Sequence, residues 1–146
     1  MGLNHNQLDA IEIFSLKNIS VVGGNVMHGI KNSDEGFEGF GEAYFSWIEP
    51  YVVKAWKKHL KMTMNLIVPL GKVKFVFYCS ASKKFRMEEI GKDNYCRVKV
   101  PAGIWFGFMG IDEENSLILN VASCLHDPQE VTRLDIKEIN YNWTRQ

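Results

Sequence analysis

The chain has 146 residues, of which 46% are hydrophobic and 23% charged, ordinary values for a globular protein with one buried core. Lysine plus arginine total 17 and aspartate plus glutamate total 17, so the charges balance. This balance argues against nucleic-acid or membrane partners, whose binding proteins carry a basic excess. We therefore expect a single domain over residues 1–146.

The cysteines and the N-terminus indicate a compartment. Cys79, Cys96 and Cys124 are odd in number and form no CxxC pair, which favours a reduced, cytoplasmic protein with buried thiols. No run reaches the length of a membrane span, and residues 1–10 lack the apolar core of a signal peptide.

Turn residues divide the chain into short apolar runs that have the length and composition of strands. In chain order, the predicted strands are 42–48, 51–56, 64–70, 72–79, 95–100, 103–111 and 116–123. The clearest is 72–79, where Val73, Phe75 and Phe77 alternate with more polar positions. The apolar segment 19–22 is available to cover a sheet edge. Many short strands at close spacing predict an antiparallel sandwich or barrel, and a jelly roll fits.

Two charged segments fall outside this strand pattern. We expect the charges at 83–89 to form an exposed hairpin loop. Segment 126–141 is the best candidate for a short C-terminal helical segment, because Asp127 is a suitable cap and Pro128 suits the first helical position. The sequence thus predicts an all-β fold with little helix.

Two segments resemble known motifs. "VPAGIWFGF" (100–108) resembles the "PPG-x-x-HGF" segment of the dTDP-4-dehydrorhamnose 3,5-epimerases. "VVKAWKKH" (52–59) resembles their "VLRGLH" strand, and more closely the "VRGxHxH" strand of the dTDP-sugar 3,4-ketoisomerases. Both groups are cupins, and the resemblance extends over residues 23–130. It implies a cupin jelly-roll barrel that binds a nucleoside-diphosphate sugar.

The chain departs from these motifs at four positions. Lys57 stands where the epimerases have a histidine base, and Met64 where they have a lysine near the sugar. Phe106 replaces the "HGF" histidine, and Asn120 replaces the general-acid tyrosine. Metal-binding cupins use an HxH pair, a glutamate and a further histidine, and of these ligands only His59 is retained. Lys57, Met64 and Phe106 cannot bind a hard metal, so we expect no catalytic metal and no cofactor.

His59 is the first candidate for catalysis. The resemblance places it at the second histidine of the ketoisomerase pair, and a histidine can remove a proton next to a ketone near neutral pH. Lys57 has the same strand parity and could stabilise an enolate oxygen. The alternatives are a partly buried histidine bonded to backbone and a solvated lysine of the basic run 54–61.

The other candidates are supporting residues. Tyr44 and His126 could return a proton, although Tyr44 could equally be a core tyrosine and His126 part of a turn. Lys54 falls where the epimerases carry an arginine for the diphosphate, with a surface lysine as the alternative. Met64, Phe106 and Asn120 are expected to contact the substrate, Asn120 by a hydrogen bond. Aromatic residues could form walls on which a nucleobase stacks, or simply core: Trp56, Trp105, Phe106 and Phe108.

The resulting hypothesis is a metal-free epimerase or isomerase that acts on a nucleotide-activated 4-keto-6-deoxy sugar. Its biological setting would be surface polysaccharide, such as lipopolysaccharide, biosynthesis. We expect a homodimer, the commonest closed assembly. The alternative is a catalytically inactive cupin that binds a sugar nucleotide or a protein partner.

Overall fold

The structure, a computed structural model, describes residues 6–144. Its strands are β1 (Glu12–Ser15), β2 (Asn18–Ile19), β3 (Val26–Met27), β4 (Glu42–Ile48), β5 (Val53–His59), β6 (Met64–Leu70), β7 (Lys72–Cys79), β8 (Lys84–Gly91), β9 (Cys96–Val100), β10 (Trp105–Gly110), β11 (Ser116–Ala122) and β12 (Val131–Arg133). Its helical turns are all 3-10: Gln7–Ala10, Pro128–Glu130 and Ile136–Glu138.

Two five-stranded sheets and one hairpin make up the fold. The first sheet has the order β1-β9-β6-β11-β4, and the second has the order β12-β5-β10-β7-β8. The strands pair antiparallel throughout both sheets, and β2 pairs with β3 in a separate hairpin. The predicted all-β jelly roll is confirmed.

Strand β7 shows why the sheets pack face to face. Val73, Phe75 and Phe77 are fully buried and lie in the core between the two sheets. Val76, on the opposite face of the same strand, packs in a second cluster with Trp56, Trp105 and the C-terminal segment. Because side chains alternate along a strand, the second sheet has an apolar layer on both faces.

The connection from β6 to β7 carries the chain from one sheet to the other at Gly71. Its φ is +84°, in the left-handed region that favours glycine, and an added Cβ would lie 2.2 Å from the Ser116 hydroxyl. That hydroxyl accepts a hydrogen bond from the backbone N–H of Lys72 at 2.9 Å. The turn between the two strands is therefore confined to this glycine, since β6 extends to Leu70 and β7 begins at Lys72.

Most predicted strands lie where the sequence placed them, and 42–48, 64–70 and 72–79 have the predicted bounds. The strand predicted at 51–56 begins later and ends later, at Val53–His59. Tyr51 has a φ of 61°, which belongs to a turn rather than to extended backbone. Of the apolar segment 19–22, only Ile19 lies in a strand, within the β2–β3 hairpin.

The expectation that the charges at 83–89 form a loop is wrong. Lys84–Gly91 is strand β8, which pairs with β7 along its whole length, and the turn is confined to residues 80–83. Arg86 Nε donates to a carboxylate oxygen of Glu88 at 2.9 Å, so these charges pair along one face of the strand. Charged side chains are common on an edge strand, because they discourage pairing of its free backbone groups with another chain.

The C-terminal segment is helical only in two single 3-10 turns on either side of β12. The predicted cap is confirmed, since the Asp127 side chain accepts from the N–H of Gln129 and Pro128 opens the turn. All three cysteines are free, and Cys79 and Cys96 are buried. Within residues 6–144, no helix has the length and apolar character needed to cross a membrane.

Candidate functional site

A cavity of about 440 Å³ lies between the two sheets. This volume is within the usual range for small-molecule sites. Strands from both sheets supply its walls, and six of the predicted site residues line it: Tyr44, Lys54, Lys57, Met64, Phe106 and Asn120. Of the other two predicted residues, His59 is buried and His126 lies in an exposed segment.

His59, the last residue of β5, is bonded to a carboxylate. Its Nδ1 lies 2.5 Å from Oε1 of Glu130, and the two side chains are 4% and 3% exposed. Val131, the first residue of β12, pairs directly with His59, and the N–H of Leu60 bonds the carbonyl of Glu130 at 2.7 Å. Edge strand β12 therefore fixes the backbone on either side of this pair.

The second carboxylate oxygen of Glu130 is held by backbone. It accepts from the N–H groups of Leu60, Lys61 and Met62 at 3.1, 2.9 and 3.1 Å. Burial alone would raise the pKa of Glu130, but the bonds from His59 and these amides lower it below its ordinary value. Glu130 is thus an ionised carboxylate at neutral pH.

An ionised carboxylate only accepts hydrogen bonds, so Nδ1 of His59 carries the proton and Nε2 carries the lone pair. Nε2 is buried and has no hydrogen-bond partner among the described residues. Burial lowers the pKa of His59 below 6.5, Glu130 partly opposes this, and the nearby charges of Lys57 and His126 lower it further. His59 has the protonation state that a general base needs at neutral pH.

Phe106 lies beside this imidazole and lines the cavity. Its ring is stacked on that of His59, with centroids 6.0 Å apart and planes 16° apart, and it also lines the cavity. Sequence comparison assigned Phe106 to substrate contact in place of a histidine. Its position also places an aromatic ring against the His59 imidazole.

A bulge sets which side chains of β5 reach the cavity. Phe106 pairs with Lys57 and Gly107 with Ala55, so the register shifts at Trp56. Lys54 and Lys57 line the cavity, whereas Lys58 lies over the Trp105 ring, 4.9 Å from its centroid. Without the extra residue, Lys54 and Lys57 would have opposite parity on the strand.

The cavity is positively charged. Lys54 Nζ donates to the carbonyl of Trp47 at 2.9 Å, a neutral partner. Arg133 also lines the cavity and pairs with Lys57 across β12 and β5. Burial, Arg133 and Lys54 lower the pKa of Lys57, and Glu130 opposes them. Lys57 is therefore surrounded by more positive than negative charge.

Asn120 and Tyr44 form a polar pair on the opposite wall. They are direct partners across β11 and β4, and Nδ2 of Asn120 donates to the Tyr44 hydroxyl oxygen at 3.0 Å. Asn120 is 3% exposed, and its Oδ1 is buried without a partner among the described residues. A buried acceptor without a donor is costly unless a ligand supplies one.

His126 is exposed and does not line this cavity, although its electrostatic interaction with His59 lowers the pKa of His59. Two residues that the sequence did not indicate belong to the site: Glu130 and Arg133. In the sequence, Glu130 ends a capped turn and Arg133 follows shortly after it. Neither residue belongs to a motif that predicts a position in the cavity. Only the pairing of β12 with β5 brings them here.

No group of three or more His, Cys, Asp or Glu side chains within residues 6–144 is arranged to hold a metal ion. The side chains around the cavity are ammonium, guanidinium, amide, phenol and apolar groups, which do not fit a hard metal. That the reaction uses neither metal nor cofactor stays a prediction.

A solved structure decides the family. The chain is 31% identical to a dTDP sugar isomerase from Desulfovibrio desulfuricans G20, over 92% of this chain and 91% of that one, with a TM-score of 0.87. The chain belongs to the cupin-fold sugar-nucleotide isomerases and epimerases. The predicted resemblance to these sugar-nucleotide enzymes is confirmed.

Two further comparisons agree with membership of this family. Over 94 residues the chain is 29% identical to a probable low-salt glycan biosynthesis epimerase, Agl13, from Haloferax volcanii, a match that spans 60% of each protein. The dTDP-4-dehydrorhamnose 3,5-epimerase of Bacillus anthracis has the same fold, with a TM-score of 0.77 and 14% identity over 97% of this chain and 88% of that one. No protein-family model matches the chain.

Proposed function

We propose that the protein is a metal-free epimerase or isomerase of a nucleotide-activated 4-keto-6-deoxy sugar, acting as a single domain. The observation that carries this proposal is the His59–Glu130 pair, in which a buried carboxylate fixes the imidazole with an unpartnered Nε2. Membership of the sugar-nucleotide isomerases and epimerases supports the substrate class. It does not favour the alternative of an inactive binding protein.

The first step is removal of a proton from the carbon next to the ketone. His59 Nε2 takes this proton, and the electron pair of the C–H bond moves towards the carbonyl, giving an enolate and an imidazolium. Glu130 stabilises the imidazolium through Nδ1. Because His59 does not line the cavity, whereas the Phe106 ring stacked on it does, the site must open at Phe106 for the sugar to reach Nε2.

Lys57 is the group proposed to stabilise the enolate oxygen. It lines the cavity beside His59 on the same strand, and an ammonium aimed at developing negative charge is most effective in a site that excludes water. Returning the proton to the same carbon from the opposite face gives an epimer. Where the deprotonated carbon bears a hydroxyl, returning the proton to the former carbonyl carbon, with transfer of the hydroxyl proton to the enolate oxygen, moves the ketone by one position.

Tyr44 and Asn120 are proposed to hold or reprotonate the sugar. Because Asn120 donates to the Tyr44 oxygen, the Tyr44 hydroxyl proton is free for a ligand. Asn120 Oδ1 can accept from a sugar hydroxyl. Met64 and Phe106 supply apolar contacts, and His126 is a second candidate for returning the proton. Lys54 is proposed to bind a phosphate of the nucleotide.

The proposed assembly is a homodimer. Strand β4 is an edge of the first sheet, and Phe45 and Trp47 on it are 63% and 54% exposed. Leu70 on β6 is 53% exposed, and both Leu70 and Trp47 pair with Leu117 of the intervening strand β11. An apolar edge of this kind is usually covered, and a second copy would cover it.

The proposed setting is the cytoplasm, in the biosynthesis of a surface glycan such as lipopolysaccharide. The free cysteines support a reducing compartment, and the Haloferax volcanii relative is named for glycan biosynthesis. Neither nucleic acid nor membrane is proposed as a partner.

Exchange of substrate protons with solvent deuterium tests this proposal. The protein is incubated in deuterated water with dTDP-linked and other nucleotide-linked 4-keto-6-deoxy sugars, and incorporation is followed by mass spectrometry and NMR. Deuterium at a carbon next to the ketone supports the proposal. Absence of exchange with every sugar that binds would support the inactive alternative.

A further inference from the structure

The segment that follows β12 packs on the outer face of the second sheet. Residues 134–143, here called the C-terminal strap, contribute four side chains to the second apolar cluster of the fold: Leu134, Ile139, Tyr141 and Trp143. Trp56 of β5 lies in the same cluster and is 2% exposed. The strap therefore packs directly on β5, the strand that carries Lys57 and His59.

Hydrogen bonds and ring contacts tie the strap to Trp56. Leu134 and Trp56 exchange two backbone hydrogen bonds, each at 3.1 Å, and Trp56 Nε1 donates to the carbonyl of Ile136 at 3.2 Å. The centroid of the Trp143 ring lies 5.4 Å from that of Trp56, and the centroid of the Tyr141 ring lies 6.4 Å from it. Aromatic pairs at such distances stabilise a fold beyond the area that they bury. Trp56 is therefore held through both its backbone and its ring.

Two elements that orient the site depend on this contact. The bulge of β5 lies at Trp56 and brings both Lys54 and Lys57 to the cavity. Strand β12, which begins directly after Glu130, has three residues and lies at the edge of its sheet, paired with β5. Its side chains are half-buried or exposed, and a short segment with little burial of its own opens readily. The strap anchors the end of β12 that lies away from Glu130.

We propose that Trp143 is a positioning residue for the site, although it is not part of the described lining of the cavity. By packing on Trp56, its ring holds the bulge of β5 and the strap, and the strap holds β12. Glu130 then stays bonded to His59, and Lys57 stays directed into the cavity. The consequence for catalysis rests on the proposed function, whereas the effect on the Glu130 contacts does not.

Amide hydrogen exchange of Trp143→Ala tests this inference without substrate. The N–H groups of Lys61 and Met62 donate to the Glu130 carboxylate itself, so their protection reports whether that carboxylate is in place. They should exchange about ten-fold or more faster in Trp143→Ala than in the wild type, because the loss of aromatic contacts favours local opening. Trp143→Phe should recover most of this protection, since it keeps a ring and loses only a buried Nε1 that has no partner among the described residues.

Val98→Ala is the matched control, because it removes buried volume from β9 in the first sheet, away from the strap and from the described lining of the cavity. It should lower the stability of the whole protein, and so separates a general effect from a local one. Lys61 and Met62 should keep their protection in Val98→Ala, because their amides exchange by local opening. Wild-type protection of these amides in Trp143→Ala, or equal acceleration in the two variants, would overturn the inference.

Sugar turnover gives a second readout. Trp143→Ala should lower the rate of solvent-deuterium exchange at saturating sugar by about ten- to hundred-fold with little change in KM, because the reacting groups lose their alignment. A wild-type rate in this variant would also overturn the inference. Faster amide exchange at Lys61 and Met62, in a protein whose wild type exchanges no sugar proton, would support the positioning role and refute the proposed function.

Discussion

Glu130 Oε1 lies 2.5 Å from His59 Nδ1, although the two residues are separated by 71 positions in the chain. The contact joins β5 to the turn before β12, and three backbone amides hold the other carboxylate oxygen. A carboxylate fixed in this way both orients the imidazole and selects its tautomer. The proposed chemistry depends on this pair more than on any other contact of the site.

Glu130→Gln should reduce solvent exchange by about a hundred-fold or more, because His59 loses both its orientation and the charge that stabilises its protonated form. Glu130 raises the pKa of His59, so removing its charge should move the acidic limb of the rate profile to lower pH. Exchange rates measured from pH 5 to 8 check both effects.

Glu89→Gln is the matched control for Glu130→Gln, because Glu89 is exposed on β8, in the second sheet. Its rate profile should equal that of the wild type. Wild-type exchange in Glu130→Gln would show that the pair is structural only.

Lys57→Met should slow exchange by about a hundred-fold, less completely than loss of His59, because the enolate oxygen loses a cationic partner but the base remains. Lys57 lowers the pKa of His59, so the acidic limb should move to higher pH. The adjacent Lys58 lies over the Trp105 ring instead of lining the cavity, so Lys58→Met is the control and should exchange normally. Equal rates in the two variants would remove Lys57 from the mechanism.

Stability should fall as the pH is lowered below about 6.5. The pKa of folded His59 is lowered from 6.5, so as the pH falls this histidine takes up a proton in the unfolded chain before it does so in the folded protein. The free energy that His59 contributes to stability is therefore lost between pH 6.5 and the lowered pKa of the folded protein. The pKa of Glu130 is also lowered, so its contribution is lost at still lower pH. Urea unfolding at pH 7.5 and 5.5 should give a smaller free energy of unfolding at pH 5.5, and a smaller difference in His59→Asn. An unchanged difference in that variant would contradict the shift assigned to His59.

Light scattering at micromolar concentration should give the mass of a dimer, twice 16.8 kDa. Charged substitutions at the exposed Phe45 and Trp47 should shift the protein towards monomer, because they place charge on the apolar edge of β4. Lys83→Glu, in the exposed turn before β8, is a control that should leave the mass unchanged. A wild-type monomer at this concentration would contradict the proposed assembly.

Much of the fold could be read from local pattern. The alternation of Val73, Phe75 and Phe77 set the inner face of β7, and turn glycines such as Gly71 marked where strands end. The pattern failed for β8, because an edge strand with charges on its open face has the composition of a loop.

The site was only partly predictable. Tyr44, Lys57 and Asn120 followed from strand position and from the resemblance, and all three line the cavity. Glu130 and Arg133 did not, since their roles depend on β12 pairing with β5, a contact distant in sequence. The bulge at Trp56, which allows both Lys54 and Lys57 to line the cavity, likewise has no sign in the sequence.

Solvent-deuterium exchange in His59→Asn is the most direct test of the account, with His28→Asn as control, because His28 is not among the described lining of the cavity. His59→Asn should lose exchange by on the order of a thousand- to ten-thousand-fold while its dTDP affinity stays within a few-fold, since the phosphate contacts are made elsewhere in the cavity. His28→Asn should behave as wild type. Exchange by His59→Asn at the wild-type rate would contradict His59 as the base, and His126 would then be the next residue to replace.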